Sequence, residues 1–370
     1  MEISLLNMIS FRNHEKKNMS FGPGITIVWG KNGSGKTSIV EAIHSLSLGN
    51  SFRTKNKKEL IKKGSSHFLL EGVFKNKEGV EKKVFFSQDQ KGNKKIKINK
   101  NEIKKRKDLL GINNVVVFSP EEESITKGGP KSRRLFFDRV FSIVSKKYLE
   151  DLLNYNAVLQ QRNAVLKIGL EKKRNKQIEI WNKPFAEKAE KLWKQRKRLL
   201  VDFMEEFNET AKKLRLGVEC NIYYDQKKST KEEILNSVEK NTEIEKVLGF
   251  TTIGPHRDDF LFEWENRGIR KQGSQGEHKM FLALLKTTEL LFISKKTNKN
   301  PVFLIDDIFA SLDVNRSKKL LRFVEGIRLN KETKPQTIIT ATDLLDIQKE
   351  GFFSNYSKIK KHKLAEDETH

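Results

Sequence analysis

The chain has 370 residues, enough for one large domain with an insertion or for two domains. Charged residues make up 33% of it, and no window approaches 18 uninterrupted apolar residues, which excludes an ordinary transmembrane helix. The single cysteine, Cys220, excludes an intrachain disulfide and a cysteine metal cluster. The N-terminus lacks the pattern of a signal peptide, so we expect a cytoplasmic protein. The net charge of +25 favours a polyanionic partner such as nucleic acid, although a generally lysine-rich composition would produce the same excess.

The first predicted elements surround a glycine-rich stretch. Residues 2–10 predict a strand, residues 21–24 (Phe-Gly-Pro-Gly) a turn, and the apolar run at 25–29 a buried strand. Between residues 37 and 48, apolar side chains at helical spacing predict a helix. The stretch between this strand and this helix is the most informative part of the chain.

Residues 30–37 read Gly-Lys-Asn-Gly-Ser-Gly-Lys-Thr, the G-x-x-x-x-G-K-T spacing of a phosphate-binding loop. Gly33 and Gly35 allow the backbone to curl so that successive N–H groups face one anion. Lys36 can reach the β- and γ-phosphates of a nucleoside triphosphate, and the Thr37 hydroxyl can bind Mg²⁺. A chance glycine-rich turn is the alternative, but the strand and helix on either side argue against it. The predicted nucleotide-binding residues are Gly30, Lys31, Asn32, Gly33, Ser34, Gly35, Lys36 and Thr37.

The remaining elements change character along the chain. Residues 67–118 predict short strands, ending in a buried one at 115–118, whereas residues 132–215 predict a helical insertion. An apolar stripe in this insertion is interpreted as core packing rather than as a partner groove; it comprises Leu192, Leu199, Phe203 and Phe207. Strands are predicted at 218–224, 301–306 and 337–340, and the polar residues 358–370 are expected to be frayed.

The predicted strand at 301–306 ends in two acids, Asp306 and Asp307. In phosphate-loop enzymes the first such acid holds the water shell of Mg²⁺ and the second orients the attacking water. An ordinary acidic turn is the alternative. Because Lys36 and Asp306 must meet at one nucleotide, the chain between them must leave one sheet and return to it.

Later motifs resemble a known group of ATPases. Ser-Gln-Gly-Glu at 274–277 is similar to the signature motif of the ABC/SMC ATPase superfamily, and Ser-Leu-Asp at 311–313 is similar to its D-loop. Within that superfamily the chain resembles the RecF family of bacterial DNA gap-repair ATPases. The supporting motifs occur in the family's order: 11–14 (Phe-Arg-Asn-His), 30–37, 41–43, 51–53 (Ser-Phe-Arg), 117–121, 129–138, 254–259 (Gly-Pro-His-Arg-Asp-Asp), 273–277 and 304–313.

The resemblance implies an α/β fold, an ABC/SMC-type ATPase head built from both chain ends, with an inserted mainly helical lobe. The predicted parts are the N-terminal head with the phosphate loop and a β-rich region (1–130), the helical lobe (131–216), the C-terminal head (217–357) and a polar tail (358–370). Residues 340–342 stand where many superfamily members carry a switch histidine.

The resemblance also implies ATP and Mg²⁺ as ligands. Lys36, Asp306 and Asp307 would be catalytic, with Thr37 and Asp306 as metal ligands. Arg12 and Asn13 resemble residues that touch the nucleotide, although an ordinary solvated arginine in a hairpin is the alternative. The signature residues would contact the γ-phosphate bound by a second subunit of a homodimer; they are Ser274, Gln275, Gly276 and Glu277. Asp307 stands where most ABC ATPases place glutamate, which suggests slow hydrolysis. The resemblance implies that DNA stimulates this hydrolysis and that it serves as a timer.

Four basic runs, at 55–63, 91–107, 183–198 and 358–363, favour binding to DNA phosphates without sequence readout. The resemblance implies an ATP-driven dimeric clamp on duplex or gapped DNA. It further implies RecR/RecO-like mediators, recombinase loading at gaps and a role in the SOS response. Two alternatives remain: the energy subunit of an ABC-type membrane transporter, and an SMC-like structural protein, which the short insertion disfavours. Salt-sensitive binding to duplex DNA would distinguish a DNA-binding repair ATPase from a transporter subunit.

Overall fold

A computed structural model describes residues 1–76, 78–167, 175–215, 217–225, 230–307, 322, 324–329, 333–342 and 359–364. The chain divides into two compact units, one formed by Met1–Glu123 with Lys279–His370 and the other by Ser124–His278. The second unit includes the strands Cys220–Asp225 and Asp259–Trp264 as well as helices, because the second of these strands pairs with the first and packs against the helix Pro130–Val144.

The strands of the described residues are β1 (Glu2–Phe11), β2 (His14–Ser20), β3 (Ile25–Trp29), β4 (His67–Lys75), β5 (Glu81–Asp89), β6 (Lys94–Ile98), β7 (Asn101–Glu102), β8 (Val115–Phe118), β9 (Cys220–Asp225), β10 (Asp259–Trp264), β11 (Arg267–Gly268), β12 (Val302–Asp306), β13 (Thr337–Ala341) and β14 (Ile359–Lys363). The helices are α1 (Lys36–Leu48), α2 (Ser124–Lys127), α3 (Pro130–Val144), α4 (Lys146–Lys167), α5 (Asn175–Leu214), α6 (Lys231–Lys240), α7 (Thr242–Leu248), α8 (Ile269–Gln272) and α9 (Gln275–Thr297). Short 3-10 helices occupy Lys57–Leu60, Arg106–Asp108 and Pro120–Glu123.

The first unit contains two sheets. One is antiparallel with the strand order β2-β1-β4-β5-β6-β7, and the other is parallel with the order β14-β3-β13-β12-β8. The helix α1 contacts strands of both sheets and is buried along nearly its whole length, so its apolar residues join a core cluster shared by the two sheets. The helix predicted at 37–48 and the buried strands predicted at 25–29 and 115–118 are confirmed.

The polar C-terminal residues were expected to be frayed, and this expectation is wrong for Ile359–Lys363. These residues form β14, which pairs in parallel with β3 from Ile359↔Ile25 to Lys363↔Trp29. Their charged side chains hid the strand because an edge strand of a sheet tolerates lysine. Residue 358 and residues 365–370 lie outside the described part of the chain.

The second unit is built around α3, α4 and α5, with a small antiparallel sheet in the order β11-β10-β9. The predicted apolar stripe on α5 is buried, which confirms that it packs in a core. Phe203 of this stripe lies edge-on to Phe137 of α3, with ring centroids 5.3 Å apart. Among the described residues, no helix has both the length and the apolar character that a membrane crossing requires.

A buried polar network fixes the packing of this unit. Arg196 of α5 is only 1% exposed and donates to Asp138 (2.9 Å), to Asp258 (3.0 Å) and to the carbonyl of Pro255 (2.8 Å). Trp193 also donates to Asp258, at 2.5 Å. Asp258 and Pro255 belong to the motif at 254–259, so this motif connects the loop before β10 to α5 by hydrogen bonds rather than by apolar contacts alone.

The substitution Arg196→Met is therefore expected to destabilise the second unit by about 3–5 kcal/mol, because it leaves the buried carboxylate of Asp258 and the partly buried carboxylate of Asp138 without their cation. Arg198→Met is the matched control, since Arg198 lies on the same helix but is exposed, and it should change stability by less than about 0.5 kcal/mol. Thermal unfolding followed by circular dichroism measures both. Equal midpoints for the two variants would contradict the assignment.

Candidate nucleotide-binding site

The phosphate loop connects the buried strand β3 to α1. Gly33 and Gly35 adopt φ angles of +85° and +86°, a left-handed conformation that other residues rarely adopt. A Cβ on Gly35 would lie only 2.3 Å from His14 Nε2, whereas the space around Gly33 is open. Gly35 therefore lets the loop lie close to the β1–β2 hairpin, and Gly33 leaves room on the exposed side of the loop.

Lys36 is 6% exposed, and its ammonium donates to the carbonyls of Gly30 (2.7 Å) and Lys31 (2.9 Å). Burial lowers the pKa of Lys36, while the nearby carboxylates of Asp307 and Asp306 raise it. The Ser34 hydroxyl is buried and has no hydrogen-bond partner among the described residues. A phosphate oxygen in the loop would supply an acceptor for this hydroxyl and a counter-ion for Lys36, so the loop fits a nucleotide phosphate.

The acid of β12 lies beside the threonine of the loop. Asp306 Oδ1 accepts hydrogen bonds from Thr37 Oγ1 (3.1 Å) and from Thr340 Oγ1 (2.6 Å). This meeting follows from the sheet, in which Asp306 pairs with Thr340 and Thr340 pairs with Val28 near the end of β3. Parallel strands bring their carboxyl ends to one edge, where α/β proteins bind ligands.

Burial raises the pKa of Asp306 to about 6, against the hydrogen bonds from Thr340 and Thr37 that lower it. A divalent cation would remove the cost of this buried charge, and a carboxylate beside a threonine hydroxyl is the donor set that Mg²⁺ takes in such sites. These two residues therefore fit the predicted metal. Thr340 was not predicted as a site residue, although its position at the end of a predicted strand was a usable signal.

Asp307 follows with a φ of +42°, in the left-handed region. Its backbone N–H donates to Thr340 Oγ1 at 3.0 Å. Burial raises the pKa of its carboxyl group, and the positive charges of Lys36 and Lys279 lower it. Asp307 thus lies within electrostatic reach of the lysine of the phosphate loop, as the predicted catalytic role requires.

Arg12 and Asn13, the other predicted nucleotide contacts, form the two-residue turn between β1 and β2. Asn13 Nδ2 donates to the Gly33 carbonyl at 3.2 Å and therefore touches the phosphate loop. Arg12 donates instead to the fully buried carboxylate of Glu41, at 2.8 and 2.6 Å. The guanidinium of Arg12 ties the hairpin to α1, and a nucleotide contact by Arg12 stays a prediction.

The signature residues begin α9. Ser274 N donates to Glu277 Oε2 (2.7 Å) and Glu277 N donates to Ser274 Oγ (3.3 Å), which is the reciprocal pattern of a capping box. The hydrogen bonds from Ser274 lower the pKa of Glu277. Ser274 and Gln275 are exposed and Gly276 is buried. The predicted D-loop at 311–313 lies outside the described residues.

Comparison with known proteins assigns the chain to a class and then to a family. Residues 2–361 match the family model described as RecF/RecN/SMC N terminal domain. With the parallel sheet and the phosphate loop, this match defines an ABC/SMC-type ATPase head. The DNA replication and repair protein RecF of Caldanaerobacter subterraneus subsp. tengcongensis is 33% identical over 359 residues, covering 95% of this chain and 96% of the relative. The chain belongs to the RecF family.

Solved structures agree with this placement. The recombination mediator protein RecF-ATP of the RecFOR pathway superposes with a TM-score of 0.83 at 31% identity, over 94% of this chain and 93% of the other. An Smc head bound to the C-winged helix domain of ScpA gives a TM-score of 0.54 at 18% identity, over 98% of this chain and 94% of the other, and shows the shared fold alone. The relatives favour the DNA-repair interpretation over the transporter subunit.

Proposed function

We propose that this protein binds and hydrolyses ATP and binds DNA in replication and recombinational repair, as an ATP-dependent dimer in the cytoplasm. The observation that supports it most directly is the meeting of Lys36, Thr37 and Asp306 at the carboxyl edge of one parallel sheet. The RecF relatives support the cellular role, and the similar RecF-ATP structure supports the nucleotide.

Different residues of the site bind the phosphates, hold the metal ion and position the attacking water. Lys36 exchanges its contacts with Gly30 and Lys31 for the β- and γ-phosphates, while loop N–H groups and the dipole of α1 add positive potential. Thr37 and Asp306 would hold Mg²⁺, which neutralises charge that develops between the β- and γ-phosphates. Asp307 orients the attacking water. Its carboxylate reaches one methylene less far than glutamate, so we expect slow hydrolysis.

The signature motif supports the dimer. Ser274 and Gln275 are exposed at the N-terminus of a long helix, where a hydroxyl, backbone N–H groups and the helix dipole suit a phosphate. They belong to the second compact unit, whereas Lys36 belongs to the first. We infer that this motif contacts the γ-phosphate held by a second subunit, so that ATP stabilises the closed dimer and hydrolysis opens it.

DNA is the proposed polyanion. The net charge of +25 supports phosphate contacts without base readout, on duplex or gapped DNA. Membership of the family adds four further parts to this proposal. DNA stimulates the ATPase, RecR/RecO-like mediators are partners, the protein helps to load recombinase at gaps, and it supports the SOS response. The division into a head from residues 1–130 and 217–357 and a lobe from 131–216 also stays a prediction.

Closing two basic protomers around one duplex should release more counterions than one protomer does. We therefore expect ATP to raise the affinity for duplex DNA and to steepen the slope of log affinity against log salt, by about 0.9 per added phosphate contact. Binding isotherms on two unrelated sequences, at several salt concentrations and with no nucleotide, ADP, ATP or a non-hydrolysable analogue, measure this. Sedimentation of the same samples reports the dimer.

Ser274→Arg is the informative variant, because a bulky cation would clash with the facing phosphate site while leaving Lys36 intact. It should bind ATP as a monomer and keep the nucleotide-free DNA affinity.

The binding isotherms of the wild type can also contradict the proposed clamp. A flat response of DNA affinity to salt would do so, as would a preference for one DNA sequence that is larger than the effect of ATP.

A further inference from the structure

Two of the basic runs, separate in sequence, meet on one surface of the first unit. Lys57 begins a 3-10 helix and Lys94 begins β6. Gln88 of β5 connects them, since its Nε2 donates to the Lys57 carbonyl at 3.3 Å and its cross-strand partner is Lys94. Gln88 is buried, so this connection belongs to the folded core rather than to mobile side chains.

Arg106 completes the group from a third segment. Its Nε donates to the Leu48 carbonyl at 2.8 Å, and a terminal nitrogen donates to Asn50 Oδ1 at 2.7 Å. These bonds hold the guanidinium at the C-terminal end of α1, the helix that begins in the phosphate loop. Lys57, Lys94 and Arg106 are called the basic cluster below.

Lys94 lies close enough to both Lys57 and Arg106 for their positive charges to repel its own. Burial lowers the pKa of Lys94 most, and the positive charges of Lys57 and Arg106 lower it further. Holding like charges together costs free energy, and a polyanion that bridges them relieves the repulsion.

Some cations of the other two runs are already paired within the protein. In the run at 183–198, Arg196 is bound to Asp138 and Asp258, and Lys194 pairs with Glu190 at 3.3 Å. In the run at 358–363, Lys360 donates to the Ser20 hydroxyl at 2.5 Å and Lys363 lies over the ring of Trp29. The segments that carry the basic cluster also hold further exposed lysines, namely Lys58, Lys95, Lys104, Lys105 and Lys107.

We propose that the basic cluster binds consecutive phosphates of a duplex DNA backbone. The inference rests on the proposed function and adds the surface that binds the DNA. The basic cluster lies within residues 48–60 and 88–108, and within these described ranges no large apolar side chain is exposed. Stacking of unpaired bases requires exposed aromatic rings, and insertion into an anionic membrane requires exposed apolar side chains. A group of cations without either feature suits a duplex backbone, which offers phosphates at regular spacing.

The test compares full-length variants that lose the same charge. K57Q/K94Q removes two cations of the cluster and leaves Arg106 in place, while K212Q/K240Q removes two exposed lysines of the second unit. We expect K57Q/K94Q to flatten the salt slope by about 1.8, two phosphate contacts at about 0.9 each, and to lower duplex affinity about tenfold or more at low salt. K212Q/K240Q should stay within about twofold of the wild type.

Three further measurements make the result decisive. K57R/K94R keeps the charge and should restore affinity and slope, and binding of a fluorescent ATP analogue should be unchanged in every variant, which reports an intact fold. K191Q/K197Q tests the rival run on α5. A loss of affinity in that variant but not in K57Q/K94Q would overturn the basic cluster while leaving DNA binding itself established. Absence of duplex binding by the wild type would instead refute the proposed function.

The remaining alternative is a lipid surface. Wild type and K57Q/K94Q are compared on vesicles containing phosphatidylglycerol at the same salt concentrations. Tighter binding to these vesicles than to duplex DNA, lost in K57Q/K94Q, would overturn the assignment to DNA. Weak vesicle binding that does not depend on Lys57 and Lys94 supports it.

Discussion

Lys36→Met is expected to lower ATP affinity by roughly 30- to 5,000-fold, which corresponds to about 2–5 kcal/mol for removing one partner of a desolvated charge pair. Lys36 is the buried cation of the phosphate loop, and its ammonium already lies on the loop carbonyls of Gly30 and Lys31. Methionine keeps most of the side-chain volume, so the loop should stay folded while its charge is lost. Titration of a fluorescent ATP analogue measures the effect.

Lys16→Met is the matched control for this substitution, because Lys16 is an exposed lysine on the neighbouring strand β2. It should bind ATP like the wild type. The Lys36 variant should also lose ATP-driven dimerisation in sedimentation, yet keep part of its nucleotide-free DNA binding, because the basic cluster is elsewhere in the first unit. Wild-type ATP affinity in Lys36→Met would show that the loop is not the nucleotide site.

Asp307→Asn is expected to bind ATP normally and to hydrolyse it about 100-fold more slowly, or slower still, which is the size of effect that a positioned acid–base group supplies. Asparagine keeps the shape of the side chain but removes its charge near Lys36 and Lys279. If hydrolysis opens the dimer, this variant should accumulate ATP-held dimers. Single-turnover hydrolysis and sedimentation with ATP measure the two effects.

Asp306→Asn provides the comparison, since Asp306 accepts from Thr37 and is the proposed metal ligand. It should weaken Mg²⁺-dependent ATP binding as well as hydrolysis, whereas Asp307→Asn should affect hydrolysis alone. Hydrolysis by Asp307→Asn at the wild-type rate would mean that another residue positions the water.

The sequence interpretation was most reliable where chemistry and structure are both local. The phosphate loop lies between the strand and helix that its flanks predicted, and the apolar stripe on α5 is buried as expected. The interpretation failed at Ile359–Lys363, because three lysines among five residues did not suggest an edge strand. It also had no means to find the Arg12–Glu41 ion pair, because no local pattern links a hairpin arginine to a helix glutamate 29 positions away.

The sequence by itself determined the phosphate loop and the acid pair at 306–307, because each depends on residues within one or two turns of backbone. Only the tertiary structure decided that Asp306 shares Thr340 with the backbone of Asp307 and lies beside Thr37. Only the tertiary structure, too, joined the basic runs at 55–63 and 91–107 into one surface. Both results depend on strand register and on packing between segments far apart in the chain, which burial of the shared core sets and no short stretch of sequence encodes.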